Sequence, residues 1–183
     1  MADNKTKISK LLALGLRHKP EALGLTLSPE GWAETSKVIE GVRARGYDLR
    51  MKLLIEIVAE DDKGRYAFSH DNRKIRANQG HSVEVDLDLA PQTPPDILFH
   101  GTSQSSVGDI LATGLKRMSR QFVHLSTSIE TATAVGARRR GDTVIFRINA
   151  ALAHSEGVAF HVSQNGVWLV KELPAKYLEI LYD

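Results

Sequence analysis

Four groups of cations and three polar turns are where this sequence could do chemistry. The first cation group is Leu16-Arg17-His18-Lys19-Pro20, three consecutive cationic or titratable side chains where a helix must stop. Such residues favour the negative end of a helix dipole. They also make an anion site, because guanidinium offers a planar fork to phosphate oxygens and imidazole adds a donor titrating near neutrality. The second runs from Arg73 to Ser82 (R-K-I-R-A-N-Q-G-H-S), mixing cations, amides, a hydroxyl and an imidazole with little apolar material. It reads as a solvated loop or as a surface for phosphates and sugar hydroxyls. The third, Lys116-Arg117-Met118-Ser119-Arg120-Gln121, precedes a strand, and the fourth, Arg138-Arg139-Arg140-Gly141, closes a helix. The polar turns are His100-Gly101-Thr102, His124-Leu125-Ser126 and Ser163-Gln164-Asn165-Gly166-Val167. In the last, Asn165-Gly166 is the sequence of a type I′ hairpin. The first two suit a polar small-molecule cleft. Metal ligation has no support, since there is no H-E-x-x-H and no His/Asp/Glu grouping at ligand spacing.

These groups need elements to position them. Ile8, Leu11, Leu12 and Leu16 fall at helical spacing and Pro20 stops that helix. A short ribbon follows around Ser28-Pro29-Glu30-Gly31. Thr35 or Ser36 caps a helix carrying Val38, Ile39 and Val42, and Asp48 caps a longer one with Leu49, Leu53, Leu54, Ile57 and Val58. Residues 65–68 read as one strand. Val83, Val85 and Leu87 alternate with acids, the period of a half-buried second strand. Helix, ribbon, two helices and a two-stranded wing is the order of a winged-helix module. Beyond residue 90, strands dominate: 96–99, 123–125, 143–148, 158–162, 167–170 and 178–182. Two substantial helices interrupt them, 107–113 closed by Gly114, and 128–138 opened by a Thr127/Glu130 capping box. That pattern is α+β rather than βαβ winding. Three prolines within five residues, Pro91, Pro94 and Pro95, mark a stiff connector. The expected organisation is a winged-helix-like lobe over residues 1–90, a linker over 91–96 and a mixed or antiparallel β lobe over 97–183.

Composition narrows the class further. With 42% hydrophobic and 25% charged residues, the 183-residue chain reads as an ordinary globular protein rather than a disordered or fibrous one. No apolar run approaches the ~20 residues of a membrane helix. The charged start MADNKTKISK leads into no signal-peptide core, so a cytoplasmic location is expected. Without a cysteine, disulfides, thiolate zinc sites and a cysteine nucleophile are excluded. The net charge of +2 makes no bulk case for nucleic acid, so any electrostatic argument rests on the local clusters. No G-x-G-x-x-G follows a strand and no G-x-x-x-x-G-K-[ST] occurs, which removes the main support for Rossmann and P-loop readings.

Taken in order, L-R-H-x-P, I-R-A-N-Q-G-H-S, H-G-T-S, V-H-L-S and N-G-V-W-L resemble the RNA 2′-phosphotransferases, the Tpt1/KptA family, over about residues 8 to 182. The resemblance implies an N-terminal RNA-binding lobe and a C-terminal ADP-ribosyltransferase-like lobe that binds NAD as co-substrate. It implies 2′-phosphorylated RNA, such as spliced tRNA, as the substrate; the chain is expected to act as a monomer. The family's catalytic Arg-His-Arg-Arg quartet falls on Arg17, His18, Arg76 and Arg120, with Arg117 the alternative for the last. The implied NAD residues are His100, Gly101, Thr102, His124, Leu125, Ser126, Gly136, Arg138, Asn165, Gly166 and Val167. No acidic residue stands in S-Q-N-G-V-W-L, unlike many protein-modifying ADP-ribosyltransferases.

The implied reaction has two steps: the RNA 2′-phosphate displaces nicotinamide from NAD, and the ribose 2″-hydroxyl then attacks that phosphorus. The products are RNA with a free 2′-hydroxyl and ADP-ribose 1″,2″-cyclic phosphate. Because nicotinamide leaves from a cationic state and a phosphate monoester is mostly dianionic at neutral pH, step one needs no general base. It needs cations that keep two anions together, a task for arginine. His18 is either a proton donor or a phosphate-binding donor. A second expectation, capping of terminal RNA or DNA phosphates with ADP-ribose, keeps the enzyme class and changes the acceptor. A third is a non-catalytic winged-helix binding module.

Overall fold

A computed structural model describes residues 2–138 and 141–181, so Arg139 and Arg140 of the fourth cation group, and Tyr182, lie outside the described residues. The chain is α+β and divides into two compact units, one ending at Asp88 and one starting at Leu89. No helix among the described residues is long and apolar enough to cross a membrane.

The first unit runs α1 (Ala2–Arg17), a 3-10 turn (Pro20–Leu23), β1 (Ala33–Glu34), α2 (Thr35–Arg43), α3 (Met51–Ala59), β2 (Tyr66–Phe68) and β3 (Lys74–Ala77). Ile8, Leu12 and Leu16 share one face of α1 and are buried with Val38, Val42, Leu54 and Ile75. Pro20, which cannot continue the α-helix, opens the 3-10 turn, and Gly24 closes it at φ +63°. The strands form an antiparallel sheet in the order β1-β3-β2.

The second strand of the ribbon is Lys74–Ala77, which had read as polar loop, and not Val83–Leu87. Residues 83–88 form no ladder, and Asp88 has positive φ, +50°. Val85 and Leu87 are buried and Glu84 and Asp86 exposed, so the alternation reports burial and not strand pairing. Neither helix cap falls where expected. Thr35 is already helical after Glu34, with its hydroxyl donating to Asn72 O at 2.9 Å, and α3 is preceded by Arg50, with Asp48 outside.

The second unit contains β4 (Pro91–Gln92), β5 (Ile97–Ser103), α4 (Val107–Thr113), β6 (Leu115–Lys116), β7 (Val123–Leu125), α5 (Ile129–Gly136), β8 (Thr143–Asn149), α6 (Ala150–Ser155), β9 (Phe160–Val162), β10 (Trp168–Val170), β11 (Glu172–Leu173) and β12 (Leu178–Leu181). Its sheets are β4-β9-β10-β7, β12-β8-β5 and the pair β11-β6, and their ladders are antiparallel. The core gathers Leu98, Phe146, Ile148, Phe160 and Val170. The expected linker begins inside this unit, because Pro91 and Gln92 pair with His161 and Phe160 at the sheet's edge, a place proline tolerates.

Three features of this unit differ from expectation. His100-Gly101-Thr102-Ser103 is not a turn but the second half of β5, paired residue for residue with Phe146 down to Thr143 of β8. The Asn165-Gly166 hairpin is not type I′, since only Gly166 has positive φ, at +77°. Ser163 N donates to Val167 O and Gly166 N to Ser163 O, which makes a three-residue loop with a glycine bulge. The helix expected over 128–138 is capped by Ser128, whose Oγ accepts from Thr131 N at 3.2 Å, rather than by Thr127.

Candidate active site

In the first unit the cations gather where α1 ends beside β3. His18 N and Lys19 N both donate to Leu14 O, which turns the chain off the helix just after Arg17. The segment after β3 returns to this end: Ser82 N donates to Arg17 O at 2.9 Å, and His18 Nδ1 lies 2.9 Å from Ser82 Oγ. Gly80, at φ +87°, passes so close that a Cβ there would sit 3.5 Å from the Arg17 guanidinium. Arg17 Nη2 donates to Arg65 O at 3.3 Å, and its guanidinium lies 5.8 Å from the centre of the Tyr66 ring. Asn78 N donates to the same Arg65 carbonyl.

Arg76 occupies the outer face of β3, since its neighbours Ile75 and Ala77 are both buried in the core. Its Nη1 donates to Glu30 O at 3.4 Å and its guanidinium lies 4.6 Å from the centre of the Trp32 ring. Between these groups His81 is only 1% exposed. Burial first, then the charges of Arg17, His18 and Arg76, hold its pKa down at about 4, so the imidazole is neutral at physiological pH. Neither ring nitrogen of His81 has a hydrogen-bond partner among the described residues, nor does the buried Nε of Arg76.

The second unit holds a cavity of about 430 Å³ lined by His100, Gly101, Thr102, His124, Arg117, Arg120 and Arg138, among others. That volume lies within the range of small-molecule sites. Among the described residues its walls carry Lys116, Arg117, Arg120 and Arg138 against one carboxylate, Asp109, a balance suited to an anionic ligand. β5 and β7 are joined by reciprocal bonds between Phe99 and Ser126, each 2.8 Å, which brings His100 beside His124. His100 Nδ1 lies 3.0 Å from His124 O, and because a carbonyl only accepts, Nδ1 carries the proton. Gly101 admits α5 against the strand: a Cβ there would collide with Ala132 O, and one on Gly136 would press on Gly101 and Thr102. Arg120 N donates to Arg117 O at 3.0 Å, a tight turn whose Met118 has φ +50°. Both arginines line the cavity.

A protein-family model described as RNA 2′-phosphotransferase, Tpt1/KptA family, matches residues 3–172. The chain belongs to the RNA 2′-phosphotransferase family. Proteins named probable RNA 2′-phosphotransferase are similar along almost the whole length. One from Trichormus variabilis is 47% identical over 97% of each chain, and one from Acaryochloris marina is 48% identical over 93% of each. One from Fusobacterium nucleatum is 43% identical over 97% of this chain and 99% of its own.

Among the residues singled out by resemblance to the RNA 2′-phosphotransferases, Arg17, His18 and Arg76 come together in the first unit. His100, Gly101, Thr102, His124, Arg120 and Arg138 come together around the cavity of the second. Leu125 is in the core, Ser126 is spent on the bridge to Phe99, and Gly136 serves the close approach of α5. Asn165, Gly166 and Val167 form the β9–β10 loop and are not on the cavity wall; Ser163 Oγ donates to Asn165 Oδ1 at 2.7 Å and accepts from Val167 N. Sequence reasoning missed Trp32 and the Glu30 carbonyl, both on Arg76. It read His81 as one polar group among several. A lone tryptophan outside any periodic stretch carries no signal for such a role.

Proposed function

We propose that this transferase removes an internal 2′-phosphate from RNA by transferring it to NAD. In this reading the first unit is the winged-helix-like RNA-binding lobe and the second the ADP-ribosyltransferase-like lobe. The observation that carries it is the gathering of Arg17, His18 and Arg76 around one buried neutral histidine, in a chain matching the RNA 2′-phosphotransferase family over residues 3–172. Arg17 and Arg76 hold the 2′-phosphate dianion with charges that do not vary with pH. His18, fixed through Ser82, donates to a phosphate oxygen or to the leaving RNA 2′-oxygen. A neutral His81 adds bulk without a further charge.

NAD is the co-substrate in this reading, supported by the cavity of the second unit, whose size suits a ligand and whose cationic lining suits a pyrophosphate. Arg138 and Arg117 bind phosphate oxygens, while His100, held as the Nδ1–H tautomer, and Thr102 bind hydroxyls. In the first step the RNA phosphate oxygen bonds to the ribose C1″ and the C–N bond to nicotinamide breaks, its electron pair leaving with nicotinamide. In the second, the ribose 2″-oxygen bonds to phosphorus, its proton is lost, and the RNA 2′-oxygen departs and is protonated. Arg120 supplies charge to the phosphoryl group in this step. The reading takes the chain as a cytoplasmic monomer.

The test is mass spectrometry of the products after mixing the protein, NAD and a short RNA bearing one internal 2′-phosphate. RNA lighter by one phosphate, with nicotinamide and ADP-ribose cyclic phosphate, is the expected result. An RNA that keeps an added ADP-ribose would assign phosphate capping instead, and no consumption of NAD would leave a binding module.

A further inference from the structure

A guanidinium that must grip a phosphate has to be held still, yet the usual device, a partnering carboxylate, would consume both its charge and its donors. Arg76 is held differently. In the antiparallel ladder Ala33 faces Ile75 and Glu34 faces Lys74, so the next position places Trp32 opposite Arg76. On the other side of β3, Arg76 faces Ala67, which has too small a side chain to support it. The Trp32 ring lies under the guanidinium at 4.6 Å, well inside the range of a cation–π contact.

The segment carrying the ring is itself fixed. Ser28 N donates to Trp32 O at 2.8 Å and Trp32 N donates to Ser28 Oγ at 3.2 Å, closing a loop that turns at Gly31 with φ +81°. The same loop provides the Glu30 carbonyl that accepts from Arg76 Nη1. No carboxylate is bonded to Arg76 among the described residues. One face and one N–H are therefore used in holding the side chain, and the charge and the Nη2 donors are not.

We propose that Trp32 is a positioning residue for Arg76: the indole fixes the plane and reach of the guanidinium while leaving its charge and its outer donors for the RNA phosphate. This rests on the phosphotransferase reading for its substrate, but the stacked pair can be tested without it. The fit is specific to a flat π-face: an aliphatic side chain would fill the space without orienting the fork, and a carboxylate would neutralise it.

Steady-state kinetics on Trp32→Ala, Trp32→Phe, Arg76→Ala and the Trp32→Ala/Arg76→Ala double variant separate positioning from folding. With NAD and a 2′-phosphorylated oligonucleotide, Trp32→Ala is expected to lower turnover about 10- to 100-fold, the scale of a displaced substrate-gripping group. Trp32→Phe should recover most of that loss. The double variant should be no slower than Arg76→Ala alone, because the indole acts only through the guanidinium. Wild-type turnover in Trp32→Ala, or a double variant slower by the product of the two losses, overturns the proposal. In a Trp168→Phe background, where Trp32 is the sole tryptophan, its emission should change on Arg76→Met; unchanged emission also overturns it. If wild-type protein makes no product from the oligonucleotide, the phosphotransferase reading fails, while the emission arm still decides whether the pair is stacked.

Discussion

In the proposed reading Arg17 and Arg76 grip the phosphate through the planar fork of the guanidinium, which matches phosphate oxygens two at a time. Replacing Arg17, Arg76 or Arg120 by alanine is expected to slow the phosphoryl step by about 10²-fold or more, the scale of removing a donor to a developing oxyanion. Lysine should fail at each position too, because a point charge cannot reproduce the fork. Glu56→Gln, which loses only a surface ion pair with Lys5 at 3.6 Å, should leave turnover near normal. Single-turnover assays following RNA dephosphorylation check all of these, and an arginine whose loss is silent leaves the site. His81 makes a separate prediction at this scale. Its folded pKa, about 4, lies below the ordinary histidine value of 6.5. Between those values the unfolded chain binds a proton that the folded chain refuses. Stability contributed by the neutral ring is therefore complete above pH 6.5, falls as pH drops from 6.5 to about 4, and falls no further from this group below that. Urea unfolding at stepped pH should show this slope in the wild type and a shallower one in His81→Phe. Parallel curves would mean that His81 takes up its proton without cost.

Among the elements, the pairing of β5 with α5 is the most constrained, because two glycines meet there. Gly101→Ala would drive a methyl group into the Ala132 carbonyl, and Gly136→Ala would press on the backbone of Gly101 and Thr102. Each should destabilise the second unit by about 1–3 kcal/mol, the usual cost of overpacking. Each should also weaken NAD binding, because His100 and Thr102 flank the affected backbone. Thermal melts together with calorimetric NAD titration test this, and an unchanged melting temperature would mean the helix simply moves away. The same pair explains part of what sequence could not show. A histidine, a glycine and two hydroxyl residues read as a turn, yet glycine is there to admit a helix and the residues stay in a seven-residue strand. Conversely, Val83, Val85 and Leu87 have the period of a strand and the burial of one, but no partner supplies a ladder. Period-two patterning senses which side chains meet a core and is blind to where backbone groups bond. β3 escaped notice for the complementary reason: its outer face carries Lys74 and Arg76, leaving Ile75 and Ala77 too little apolar signal. Contiguous motifs were the legible part of the site; Trp32, brought opposite Arg76 by sheet register, was not.

At the scale of the whole molecule, the chain is two units, one ending at Asp88 and one starting at Leu89, each with its own apolar core. Arg17, His18 and Arg76 belong to one unit and the ligand-sized cavity to the other. Ligand linkage can therefore be followed separately. At a hundredfold excess over its dissociation constant, NAD should stabilise what it binds by about 2.7 kcal/mol. Hydrogen-exchange mass spectrometry should find that protection concentrated in β5, β7 and α5; protection confined to α1–α3 would mean the dinucleotide sits elsewhere. The open margin of the four-stranded sheet has a different consequence. β4 is only two residues long, begins with a proline and is followed by Pro94 and Pro95. A nascent or damaged chain seeking to zip onto that margin meets a stub with few amide hydrogens to offer. Concentrated storage should then leave the protein resistant to fibril growth from this border. Replacing the three prolines with β-branched residues would create a seed for it.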